Sequence, residues 1–190
     1  GLGQGDFVRN IRLFYDDDFD VLAQSSYGWL SRVFVMQDPP QHTRVRNLVA
    51  SALSLKRIRE MEPRIRELAK AQLMRFSEDS DSNFITRFAY LFPTLVMCDM
   101  LGLEEGEFSE ELLLQLNQAV ADTFPVFETR ALATNELALA NRQMDFLTNF
   151  FDELFDRRRK SPKDDLTTAM VQAGEGEDAL TQEELTTSVI

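Results

Sequence analysis

Asp38-Pro39-Pro40-Gln41-His42-Thr43-Arg44-Val45-Arg46-Asn47-Leu48-Val49-Ala50-Ser51-Ala52-Leu53 is the stretch whose reading decides the fold. Asp38 offers an N-cap acceptor, proline occupies the first turn, and Gln41 stands at capping-box spacing, so a helix is predicted from Asp38. Val45, Leu48, Val49, Ala52 and Leu53 then recur with the helical period, one apolar stripe on an otherwise polar cylinder. The same period continues outward. It predicts helices over about 61–77 (Met61, Ile65, Leu68, Ala69, Leu73 and Phe76 inward), 109–122, 134–159 and 164–173. Residues 84–101 form an apolar run that Pro93 should end or kink, with Gly102 as its C-cap. Ser77–Ser82 and Gly174–Asp178 read as polar breaks. Before Asp38 the pattern is weaker: an amphipathic Phe7–Phe14, then Asp16–Gly28 as a short helix leading into a loop. Alternating segments are nearly absent. The chain is predicted to be all-α.

Composition narrows the function. With 190 residues, 44% hydrophobic and 27% charged, the chain suits one globular domain. Its net charge of −12 repels phosphate backbones and argues against nucleic acid as a partner. One cysteine, Cys98, cannot form an internal disulfide, which points to a reducing, cytoplasmic setting. No apolar run is long enough for a bilayer, so no membrane role is expected. A single histidine, His42, excludes zinc sites built from Cys and His, and Pro39 three places before it excludes a Glu-x-x-His di-iron motif. No phosphate-cradling glycine loop and no Gly-x-Ser-x-Gly elbow occurs. Hence no complete catalytic set and no metal ligands are assigned. Both ends read as internal. No initiator Met is present, and the helix that Thr181 and Glu184 cap stops at Ile190 while turning apolar.

On a helical wheel His42 and Arg46, four apart, flank the stripe of Val45, Val49, Ala52 and Leu53, while Arg44 points nearly the opposite way. Such a pair at an apolar edge suits an anion whose remaining bulk is apolar. From spacing alone a carboxylate from elsewhere in this acidic chain would satisfy it equally well. Arg157-Arg158-Arg159-Lys160 reads as a solvated, dipole-compensating helix end. Cys98, inside an apolar run without flanking glycines, reads as a small buried hydrophobe.

Asp38-Pro39-Pro40-Gln41-His42-Thr43-Arg44-Val45-Arg46 resembles the signature that opens the C helix of soluble, bacterial-type cytochromes P450. Further matches follow in order. Phe88–Pro93 through Leu101-Gly102-Leu103 resembles the D–E region, Arg157–Leu166 the G–H junction, and Leu180–Leu185 the start of the I helix. Leu53-Ser54-Leu55-Lys56 departs from the family's Phe-Thr/Ser-Pro-Arg, and the Glu-x-x-Arg and cysteine-loop motifs are absent.

The resemblance implies a single incomplete P450 domain over 1–190, truncated at both ends. Residues 1–37 would be the B helix and B–C loop, and 38–190 the C helix to the first turns of I. It implies heme b, with His42 and Arg46 on its propionates, Tyr27 and Trp29 lining substrate, and the iron-ligating cysteine outside this chain. The implied activity is a monooxygenase inserting one oxygen atom from O2 into a small organic substrate. Electrons would come from NAD(P)H through a ferredoxin- or flavodoxin-type donor, and the isolated chain would be inactive. The other reading is a non-catalytic all-helical interaction domain.

Overall fold

The computed structural model describes residues 4–78, 83–103, 109–174 and 176–190, and no strand occurs among them. The helices are α1 (Gln4–Arg12), α2 (Ser25–Arg32), α3 (Gln41–Ala52), α4 (Leu55–Glu78), α5 (Leu91–Met100), α6 (Glu110–Thr123), α7 (Thr134–Lys160), α8 (Leu166–Val171) and α9 (Gln182–Val189). The all-α expectation holds. Residues 79–82 of the expected break and Glu175 of the glycine loop lie outside the described residues. No described helix is long and apolar enough to cross a membrane.

Two apolar clusters share α7 as their common wall. The larger gathers Val45 and Val49 of α3, Leu95 and Cys98 of α5, Leu113 and Leu116 of α6, Leu147, Leu154 and Phe155 of α7, Met170 of α8 and Leu185 of α9. The smaller joins Phe7 and Ile11 of α1 and Tyr27, Trp29 and Leu30 of α2 to Leu137, Ala140 and Met144 of α7. Helix α7 serves both because its apolar stripe runs unbroken from Leu137 to Phe155.

Several local details depart from the sequence reading. Helix α3 begins at Gln41, and Asp38 contributes its carbonyl, accepting from the His42 N–H at 3.2 Å, instead of a side-chain cap. A residue before proline is pushed out of the helical region, which moves the start downstream. Helix α4 starts at Leu55 because Ser54 Oγ accepts from the Arg57 N–H at 3.3 Å. It carries Pro63 in its interior, and of its expected inward residues only Leu68 is fully buried, while Leu73 is exposed. Ser25–Gly28 is helical and not a loop. Ser26 donates through both its N–H (3.0 Å) and Oγ (2.7 Å) to Asn141 Oδ1, which fixes α2 against α7. Gly28 permits the close approach, since a Cβ there would lie 2.9 Å from the Leu22 carbonyl.

The 84–101 run divides near Tyr90 into a π-helical turn over Ile85–Ala89 and α5, leaving Pro93 in the first turn of α5, where its missing N–H costs nothing. Gly102 closes α5 at φ +80°, with the Leu103 N–H returning to the Cys98 carbonyl at 3.0 Å. At the far end of α7, Arg158 is buried, against the expectation of a fully solvated basic run. Its Nε donates to Asp165 Oδ2 and its Nη2 to the Gly102 carbonyl. Asp165 also caps α8, accepting from the Thr168 N–H at 2.7 Å. This buried pair ties the ends of α5 and α7 to the start of α8.

Candidate functional site

The flank of α3 carries the basic pair. Val45 and Val49 anchor the helix in the larger core, and the i, i+4 spacing sets His42 and Arg46 side by side at its edge. His42 is half-buried, its ring 5.9 Å from that of Phe34, and Arg46 is exposed. Neither side chain makes a hydrogen bond or ion pair with any described residue. The internal carboxylate that could have satisfied the pair is therefore not found among the described residues, despite 32 acidic side chains in the sequence.

Arg44 behaves otherwise. It does not face open solvent as the wheel predicted. It is half-buried, paired with Glu184 of α9, and donates to the Asp178 and Ala179 carbonyls at 3.3 and 3.4 Å. The wheel failed because the far side of α3 is covered by the start of α9. There Thr181 and Glu184 form the expected capping box, the Glu184 N–H donating to Thr181 Oγ1 (3.2 Å) and the Thr181 N–H to Glu184 Oε2 (3.0 Å). Of the two arginines, one is spent on structure and one is free to meet an anion.

A match to the family model for cytochrome P450 spans residues 7–190, nearly the whole chain. The chain belongs to the cytochrome P450 family. It is 30% identical over 187 residues to the mycinamicin IV hydroxylase/epoxidase of Micromonospora griseorubida, a match covering 97% of this chain and 43% of that protein. It is 32% identical over 157 residues to the 6-deoxyerythronolide B hydroxylase of Saccharopolyspora erythraea, covering 78% and 34%. The P450 chain thus spans less than half the length of the curated relatives that it matches. Among solved structures, cytochrome P450 TbtJ1 is similar with a TM-score of 0.71 and 25% identity, covering 96% of this chain and 46% of that one. P450BioI in complex with an acyl carrier protein gives a TM-score of 0.73 over 98% and 48%, and at 19% identity this shows the fold alone.

In the P450 chain the other expected residues are placed as follows. Tyr27 is fully buried, its hydroxyl 3.0 Å from that of Tyr15, which in turn accepts from the Leu132 N–H at 2.9 Å. Burial, followed by that hydrogen bond, raises the Tyr27 phenol well above its ordinary range. Trp29, two residues further along α2, is 8% exposed and lines a cleft of about 380 Å³ between α2, α7 and α9. Cys98 is buried among apolar side chains, and burial pushes its thiol up to about 11. That environment disfavours the thiolate that a metal would need. No group of three or more His, Cys, Asp or Glu among the described residues could hold a metal ion. Sequence reasoning missed the Arg158–Asp165 pair, which forms only where the chain turns from α7 into α8 and the Gly102 carbonyl, 56 residues back, meets it, and it missed the cleft, whose walls come from residues far apart in the chain.

Proposed function

We propose that these residues form part of a heme-thiolate monooxygenase, one P450 domain that inserts an oxygen atom from O2 into a small organic substrate. The observation that carries the reading is the unpaired His42/Arg46 flank. Two adjacent donors, one half-buried against Phe34 and neither engaged by a described carboxylate, fit the propionates of heme b. A charge-assisted bond of this type contributes about 1.5–3 kcal/mol. Their role is to bind and orient. When bound, heme would supply the iron at which O2 is reduced, with a cysteine thiolate favouring O–O cleavage. With its raised thiol Cys98 does not suit that position, so the ligand is assigned to a cysteine outside these 190 residues.

Relatives named as hydroxylases and an epoxidase support oxygen insertion as the chemistry. Trp29 is assigned to the substrate-lining wall, with Tyr27 behind it as the buried support of the same helix. Electrons are assigned to NAD(P)H through a ferredoxin- or flavodoxin-type donor, in the cytoplasm.

The test compares Arg46→Ala with Arg44→Ala in the heme-loaded protein. Arg46→Ala should weaken heme retention by about ten- to a hundredfold while leaving thermal unfolding of the apoprotein unchanged. Arg44→Ala should lower apoprotein stability through loss of its Glu184 pair. Equal heme affinity for wild type and Arg46→Ala would overturn the propionate assignment.

A further inference from the structure

The cleft between α2, α7 and α9 is strongly polarised. Asp145, Asp152 and Glu183 contribute three carboxylates to its lining and Arg32 the one guanidinium. Arg32 is committed: its Nε lies 2.6 Å from Glu183 Oε1, an ion pair too bent to count as a hydrogen bond. Asp152 accepts from Gln182 Nε2 and Thr186 Oγ1, both at 2.6 Å. The Asp145 side chain is exposed and makes no hydrogen bond or ion pair with any described residue. The cleft therefore holds a net negative charge with one unengaged carboxylate at its rim.

A second observation is independent of charge. Besides the ion-paired Arg32 Nε, two lining side chains each carry a buried polar atom without a partner: the Trp29 Nε1–H, a donor on a residue only 8% exposed, and Gln182 Oε1, an acceptor. Buried polar groups are ordinarily satisfied, so an orphaned donor and an orphaned acceptor on one cleft ask for a ligand that offers both. A hydroxyl does so. A carboxylate or phosphate would meet the three acidic side chains and is excluded, whereas an ammonium meets Asp145 and can lie against the indole.

We propose that this cleft binds a hydroxylated organic amine, with the protonated amine on Asp145 and hydroxyls serving Trp29 Nε1 and Gln182 Oε1. This deepens the substrate-lining assignment of Trp29 by naming a ligand class, but it does not depend on heme. No residue of the His42/Arg46 flank lines the cleft.

Trp29 is the only tryptophan of the chain, so its emission reports this cleft. The experiment titrates the protein with D-glucosamine and, separately, with D-glucose at equal ionic strength, following Trp29 fluorescence and confirming heats by calorimetry. Glucosamine should shift the emission saturably, and glucose should bind more weakly by about fivefold, the reach of one exposed ion pair. Asp145→Asn should abolish that preference. Glu153→Gln, an exposed change on the same helix outside the cleft lining, should keep it. The proposal is overturned if the two sugars bind alike, if neither binds, if Asp145→Asn retains the preference, or if Glu153→Gln loses it equally. None of these results alters the heme-retention comparison of Arg46 with Arg44.

Discussion

Replacing Arg158 by Met keeps a stem of similar length and removes the guanidinium from a pair in which both side chains are about 95% buried. Two groups are then stranded: the Asp165 carboxylate, left with the Thr168 N–H, and the Gly102 carbonyl. Removing one member of a buried ion pair costs about 3–5 kcal/mol, because the remaining charge stays desolvated. For a chain of this size each kcal/mol moves Tm by about 2–4 °C, so Arg158→Met should melt about 6–20 °C lower. Asp165→Asn should cost less. The amide can still cap α8, and Arg158 keeps the Gly102 carbonyl, so the loss is about 1.5–3 kcal/mol, that of one charge-assisted bond. The double variant Arg158→Met/Asp165→Asn removes both charges together and should lose less than the two singles summed, by about 2 kcal/mol. Thermal and urea unfolding followed by circular dichroism measure all four corners of this cycle. Additive losses within about 0.5 kcal/mol, or an Arg158→Met shift under about 2 °C, would refute the reasoning.

Gly102→Ala should cost about 3 kcal/mol or more in denaturant unfolding. The position has φ +80°, and a Cβ would stand 2.0 Å from the Asp165 carboxylate that Arg158 holds in place. Thr181→Ala opens the capping box of α9 and should cost about 0.5–2 kcal/mol, seen as a lower denaturant midpoint with unchanged slope. With its thiol near 11, Cys98 is only about one-thousandth thiolate at pH 8, so a chromogenic disulfide reagent should label it promptly only after unfolding. Hydrogen bonds from Arg130 and then the Ala133 N–H lower the Glu136 carboxyl from 4.5 to about 2. Its contribution to stability is therefore complete above pH 4.5 and fades as pH falls through about 2. In Arg130→Ala an NMR titration should find this carboxyl moved back toward 4.5.

What the sequence made legible is what local chemistry decides. The stripe of α7, the Thr181 cap and the Gly102 C-cap are each written within a few residues, and each appears where its spacing puts it. His42 and Arg46 were also legible as neighbours, since i, i+4 adjacency is a property of any helix. What covers a helix is not local. Arg44 looked solvated until Glu184, 140 residues away, closed over it. Arg158 looked like one more cation in a basic run until Asp165 and the Gly102 carbonyl met it in the core. Ser25–Gly28 has the composition of a turn, and only the amide of Asn141 makes it a helix worth forming.

The anchorage of α2 has a temporal side. Its bonds run to Asn141 across 115 residues, and the Tyr15 hydroxyl waits 117 residues for the Leu132 amide. At a synthesis rate of about 5–20 residues per second, the first two helices leave the ribosome about 6–23 seconds before the side that holds them exists. Through that interval Tyr27, Trp29 and Leu30 lack the α7 side of their cluster. Helix α7 is thus the length of chain whose arrival lets α2 settle in place.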